Sequence, residues 1–202
     1  MHNEVKAANI VIQQGIPEGQ ERAAARIYHM AFERKLRPIL SDSLDQVTDI
    51  LSASLNPQNA IVALRDGQVV GLLGFHHSGK PMVDVTFGAL VQHFGLLRAL
   101  WKALLGILLM RKPQPGELLM DGIAVDESAR GQGIGTRLFD ALFAFAAAND
   151  YTYIRLDVIN TNPRAQQLYE RLGFVAVKTE RVPFMQFMGF TAVTEMRLDL
   201  SS

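Results

Sequence analysis

The chain contains no cysteine. Disulfides, thiolate nucleophiles and zinc sites built on Cys are therefore excluded, although this does not fix the compartment. Neither sign of charge is in excess: 20 Lys and Arg stand against 20 Asp and Glu, for a net charge of +0. Without a basic surplus there is no electrostatic case for nucleic acid as the main partner. The opening residues, MHNEVKAANIVIQQG, lack the long apolar core of a secretory signal. Internal repeats and low-complexity tracts are absent too. One long apolar run exists, Phe87 to Met110, but Arg98 and Lys102 interrupt it. A spanning helix of about 20 apolar residues rarely holds such charges at its middle. The expectation is a soluble, cytoplasmic protein with no membrane span.

What is present is a core-forming chain. Its 202 residues are 49% hydrophobic, which suits one domain over residues 1–202 with room for an insertion. Ala8 to Gln13 reads as a first strand, and Gln20 to about Arg34 as a helix ended or kinked by Pro38. Ser41 or Ser43 can cap a second helix reaching about Leu55. Ala60 to Leu64 and Gln68 to Phe75 flank Asp66-Gly67, a strong hairpin signal. The insertion then occupies about 80–114. Within it, Gly95, Arg98, Lys102 and Gly106 make a narrow polar stripe on an otherwise apolar helical run. Helices apolar on nearly every side are usually buried or pack on another subunit, so two helices are expected here, buried or forming a homodimer contact. An interfacial membrane helix or a wall for an apolar acceptor are the sharper readings.

Leu118 to Val125 reads as a strand, followed by a polar turn, Arg130-Gly131-Gln132-Gly133-Ile134-Gly135, and a helix to Ala148. A helix start carries unpaired N–H groups and partial positive charge, and glycines let an anion come close. A nucleotide P-loop would need a Lys here, and a dinucleotide fingerprint a third Gly where Thr136 stands. Tyr153 to Val158 follows as a strand without neat alternation, expected to be central and buried on both faces. Asn162 and Pro163 start another helix, which ends before Gly173. Phe174 to Thr179 and Ala192 to Leu200 read as a final antiparallel pair.

The glycine turn resembles the [RQ]-x-x-G-x-[GA] motif of the GNAT (GCN5-related) N-acetyltransferases, with Arg130, Gly133 and Gly135 at its defined positions. Asn160, Tyr169, Gly173 and Phe174 resemble the second half of that family's site, N-x-x-A-x-x-x-Y-x-x-x-G-F. The Ala is offset: Ala165 follows Asn162, not Asn160, by three. The resemblance implies an α/β (α+β) fold: a mixed, mostly antiparallel sheet flanked by helices, with the helical insertion between its third and fourth strands. It implies acetyl-CoA as acyl donor, no metal, and an amine acceptor attacking directly in a ternary complex. Carried over position by position, Gly131, Gln132, Gly133, Ile134, Gly135 and Thr136, with Arg130, would cradle the pyrophosphate. Ile123, Ala124 and Val125 would pair with the pantetheine arm, Asn160 would hydrogen-bond it or a strand backbone, and Tyr169 would protonate the leaving thiolate.

The base is open between two carboxylates. Glu117 stands thirteen before Arg130, like the catalytic Glu of the histone-acetyltransferase branch, while Asp121 lies closer to the expected thioester. At even spacing the two share one face unless a bulge intervenes. His76 and His77 lack partners for a metal site and read as rim residues. Phe32 to Leu40 and Val182 to Phe190 would wall the acceptor cleft, and their mix of apolar and basic residues suits an acceptor with an apolar part and an acidic group. Two alternatives stand beside catalysis: a non-catalytic acyl-CoA-binding or interaction module on the same fold, and a NAD-type fold using an acid near Asp157.

Overall fold

Seven strands pair into one sheet, in the order β1-β2-β3-β4-β5-β7-β6. The computed structural model describes residues 9–41 and 43–200, so Ala8, expected to open the first strand, lies outside the described residues. The strands are β1 (Ile10–Gln14), β2 (Ala60–Arg65), β3 (Gln68–Phe75), β4 (Glu117–Val125), β5 (Tyr153–Ile159), β6 (Val175–Arg181) and β7 (Ala192–Asp199). Every neighbouring pair is antiparallel except β4 with β5. The Asp66-Gly67 signal closes the β2–β3 hairpin, with φ of 52° and 79° as a two-residue turn of that hand requires.

Helices cover both faces. On one side lie α5 (Ile134–Ala148) and α6 (Pro163–Arg171). Leu138, Phe139 and Leu142 of α5 pack there on Leu118, Met120, Ile154 and Leu156. On the other lie α1 (Glu21–Leu36) and α2 (Leu44–Ala53), whose Ala24, Ile27, Val47 and Ile50 meet Val62 and Leu72. Caps act where the sequence places them. Ser43, rather than Ser41, caps α2, and Asn162 accepts the Ala165 N–H with Pro163 in the first helical position. The fold is the expected mixed sheet with a helical insertion between its third and fourth strands.

Phe87 to Met110 forms two helices, as expected: α3 (Phe87–Phe94) and α4 (Leu96–Leu109), parted at Gly95, whose φ of +75° leaves the helical region. Two other expectations need correction. The first is burial of α4. Ala99 is enclosed, but Leu97 is 78% and Trp101 70% exposed, with Leu100, Leu104 and Ile107 also outside. Only part of the polar stripe faces the body: Lys102 donates to the Leu40 carbonyl (2.5 Å) and sits 4.3 Å over the Phe94 ring, while Gly95 and Arg98 are exposed. Ala99 and the Lys102 stem hold α4 to the body, and its leucines turn outward. Among the described residues no helix is long and apolar enough to cross a membrane.

The second correction concerns β5, which is not buried on both faces. Ile154, Leu156 and Val158 face α5 and are buried, while Tyr153, Arg155 and Asp157 are only half-buried. A strand carrying two charges every second residue can bury only its apolar face.

Candidate active site

The parallel pairing of β4 with β5 lasts three rungs, Glu117 with Tyr153, Leu118 with Ile154 and Leu119 with Arg155. A bulge in β4 then intervenes. Met120 pairs with Phe75 and Gly122 with Gly74, leaving Asp121 extra. Bulges bend the strand that holds them. Beyond this one, Ile123, Ala124 and Val125 stay paired to Leu73, Leu72 and Gly71 of β3. Their β5-facing edge is open, so the centre of the sheet presents unpaired backbone groups.

The open edge runs into the glycine turn. Asp126 accepts from the Ser128 N–H (2.9 Å) and hydroxyl (2.5 Å), capping a short 3-10 turn, and these bonds hold its carboxyl below the usual range. Gly131 and Gly133 have φ of +77° and +71°, left-handed values that favour glycine. A Cβ built on either meets nothing within 4 Å, so conformation and not protein packing selects glycine there. Gly133 is the N-cap of α5, and the first helical bond runs from Arg137 N–H to Gly133 O. The N–H groups of Ile134, Gly135 and Thr136 therefore have no carbonyl one turn back. Gln132 and Thr136 are exposed, and Arg130 folds back to donate from Nε to Val125 O (3.2 Å).

Tyr169 of α6 is buried against Phe139 and Phe174 at ring separations of 5.9 and 6.0 Å. Burial pushes its hydroxyl up to about 12, so it is protonated at neutral pH. Among the described residues no group hydrogen-bonds that hydroxyl. Asn160 is differently placed. Its Oδ1 accepts the N–H groups of Thr191 and Ala192 (3.1 and 3.2 Å), and its amide donates to the Thr191 hydroxyl (3.2 Å), so it ties the end of β5 to the start of β7.

Both carboxylates of β4 project from the face away from α5, and neither is unattached. Glu117 has a side chain only 1% exposed, an ion pair to Arg155 Nε at 2.9 Å and the Tyr153 hydroxyl donating at 3.1 Å. The Arg155 contact is close but not aligned as a hydrogen bond. Glu117 thus closes the paired end of β4 and β5. Asp121 holds the open end: Oδ1 meets His76 Nε2 (2.7 Å) and Oδ2 accepts the Met82 N–H (2.9 Å). His77 meets the Tyr151 hydroxyl (2.8 Å), and among the described residues no group of three metal-binding side chains assembles.

Over the bulge lies the end of α1. Phe32, with non-helical φ and ψ of −116° and 19°, covers Gly122, where a Cβ would stand 2.4 Å from its ring. Lys35, one turn on, keeps accessible surface, yet enough protein surrounds it to lower its pKa. Lost hydration is the main cause, opposed by Asp121 and reinforced by Arg111. A cavity of about 500 Å³ opens on the Arg155 and Asp157 face of β5, lined also by Arg111 and Glu195 and by Val182, Phe184, Met185 and Phe190. Asp157 forms an ion pair with Arg111 of the loop before β4. The two expected acceptor walls do meet, since Ile39 packs on Met185, Met188 and Phe190. Arg111, Arg155 and Asp157 were not expected in the site. For Arg155 and Asp157 the signal was the charged, alternate positions of β5; Arg111, in the loop after α4, carries none.

N-acetyltransferase from Staphylococcus aureus Mu50 superposes with a TM-score of 0.63 at 18% identity, covering 96% of this chain and 100% of that one. YncA of Salmonella typhimurium, solved with its cofactor acetyl-CoA, gives 0.60 at 16%, covering 96% and 95%. At such identities these structures share the fold alone. The Xenopus tropicalis protein named "Probable N-acetyltransferase camello" is 34% identical over 77 residues, 37% of this chain, and the match spans only 35% of that protein's length. The profile of the Acetyltransferase (GNAT) family matches residues 24–174, well over half of the sequence. The chain belongs to the Acetyltransferase (GNAT) family.

Proposed function

We propose that the protein is an N-acetyltransferase that moves the acetyl group of acetyl-CoA to a primary amine by direct attack in a ternary complex. The observation that carries this reading is the open edge of β4 running from the bulge at Asp121 into the glycine turn. Backbone N–H groups from Gly131 to Thr136 take the pyrophosphate, with Arg130 at the mouth. Ile123, Ala124 and Val125 pair with the amide-bearing pantetheine arm, and a β4 N–H stabilises the oxyanion. Tyr169, neutral and with an uncommitted hydroxyl, protonates the departing thiolate. Asn160 acts through the strand it holds rather than through its own amide.

Of the two carboxylates, Asp121 is the proton acceptor beside the thioester. A carboxylate has about four lone-pair sites, so His76 and Met82 leave capacity for one more donor. Glu117 is assigned to holding the strands together. Thiol release with a panel of amines tests the reading. Acetyl-CoA binding without turnover of any amine would instead leave an acyl-CoA-binding module on this fold.

Three wider points belong to the same proposal. The described fold and its helical insertion are read as one domain over residues 1–202. The setting is cytoplasmic, checked by cell fractionation. The outward leucine stripe of α4 packs against a second copy as a homodimer.

A further inference from the structure

The cavity beside the β4–β5 opening carries both signs of charge, but most of its ions are already committed. Arg155 serves Glu117 and Glu195, and Lys178 serves Glu180. The remaining pair, Arg111 with Asp157, is built differently. Asp157 is fixed on β5, on the cavity face and just past Arg155, the last residue paired to β4. Arg111 comes from the loop after α4, with a side chain 38% exposed against 15% for Asp157. One partner is held by the sheet at the opening, and the other comes from a loop and keeps more accessible surface.

Such a pair sets a rule for what may enter. A bare amine that takes Asp157 leaves Arg111 beside Arg155 with no carboxylate of its own, only the attraction of Glu180 and Glu195, which already serve Lys178 and Arg155. A zwitterion avoids this penalty, because its ammonium replaces Arg111 on Asp157 while its carboxylate replaces Asp157 on Arg111. The opposite wall is apolar, with Val182, Phe184, Met185 and Phe190. We propose that the acceptor is a free α-amino acid with a large apolar side chain, its ammonium on Asp157, its carboxylate on Arg111 and its side chain against Phe184, Met185 and Phe190.

This assignment rests on the acetyltransferase reading and completes it. The ammonium, held by Asp157, gives one proton to Asp121 directly or through water, and Asp121 passes it to solvent. The freed lone pair forms the N–C bond to the acetyl carbon. The C–S bond breaks with its electron pair on sulfur, and the Tyr169 hydroxyl protonates that thiolate. The second nitrogen proton returns to the tyrosinate through solvent. The balance is R–NH3+ plus acetyl-CoA giving R–NH–acetyl, CoA thiol and one proton.

The test measures kcat/KM by thiol release for phenylalanine, phenylalaninamide and phenethylamine, with acetyl-CoA binding followed on the same samples by calorimetry. Phenylalanine is expected to exceed the two acceptors lacking a carboxylate by about tenfold to a hundredfold, the worth of a charge-assisted contact. In Arg111→Gln that ratio should collapse toward one, and in Arg111→Lys survive in part. Asp157→Asn should lower all three. Equal use of phenethylamine and phenylalanine by the wild type, or a ratio that persists in Arg111→Gln, overturns the zwitterion assignment while leaving acetyl transfer intact. Acetyl-CoA binding with no acceptor turned over defeats both readings together.

Discussion

Gly135 separates what the fold needs from what a ligand needs. It lies in the first turn of α5, and a Cβ there would meet only Ile123 Cδ1 at 4.0 Å. The fold has no objection to alanine, which is the better helix former by about 1 kcal/mol. A methyl group would, however, stand in front of the helix N-terminus. Gly135→Ala is therefore expected to keep or raise Tm while weakening acetyl-CoA, read by thermal melts with and without the ligand; a lower Tm with unchanged affinity would make this glycine a packing residue. Tyr169 gives the matching prediction for chemistry. Tyr169→Phe keeps the ring cluster with Phe139 and Phe174, so kcat should fall by roughly a hundredfold or more with acetyl-CoA binding little changed. Its pH signature has a definite sign. A phenol raised by burial contributes stability in full below about 10, its unfolded value, and loses it as pH rises through about 12. That alkaline slope should be missing from the variant. Both residues were legible in the sequence because their signals are local: Gly135 follows Gly131 and Gly133, which a left-handed turn needs, and a tyrosine four before Gly173 lies on the helix that this glycine follows. The pair of Arg111 and Asp157 was not, because the sheet alone brings its partners together.

Among the elements, the bulge of β4 decides where the sheet opens, and two facing glycines decide what covers it. Gly74 and Gly122 are cross-strand partners. A Cβ on the first would meet Met82 Sδ at 2.5 Å and on the second Phe32 Cζ at 2.4 Å. Side chains from the insertion and from α1 thus lie flat on bare backbone, next to Asp121. Gly122→Ala must displace Phe32, an overpacking that costs about 1–3 kcal/mol. The shift should also appear in catalysis, because Lys35 and the acceptor cleft follow Phe32 on α1. Expected outcomes are a lower Tm and a raised acceptor KM; a lower Tm with unaltered kinetics would detach α1 from the cleft. Strand and helix identities were readable from period, caps and the Asp66-Gly67 turn, since each depends on neighbours in sequence. A bulge is invisible at that range: Met120-Asp121-Gly122 reads as ordinary strand, and only the pairing with β3 exposes the extra residue. The alternation of β5 was overlooked for a related reason. Its charged positions make sense only once a cavity is known to lie on that face.

At the scale of the molecule, α4 inverts the usual amphipathic logic. Ala99 and Lys102 lie inward, the lysine on the Leu40 carbonyl, while Leu97, Leu100, Trp101 and Leu104 form an outward row at spacings of three, one and three. That row is one helical face, and a contiguous apolar face of this kind is covered in a stable assembly. A second copy is the proposed cover because the same stripe on both subunits is self-complementary about a two-fold axis, and matched apolar helices need no charged partner. The stripe holds Leu and Trp and no acid, and from Thr86 to Gly116 the sequence has no Asp or Glu at all. The wild-type protein is expected to sediment as a dimer, and Leu100→Glu with Leu104→Glu as a monomer, because a self-complementary interface would then bring four carboxylates together. Since both residues are exposed and outside either core cluster, the doubly substituted monomer should keep its Tm and its acetyl-CoA binding. A wild type that is monomeric across a wide concentration range, and that floats with anionic vesicles, would remove the second copy and give the stripe to a lipid surface instead.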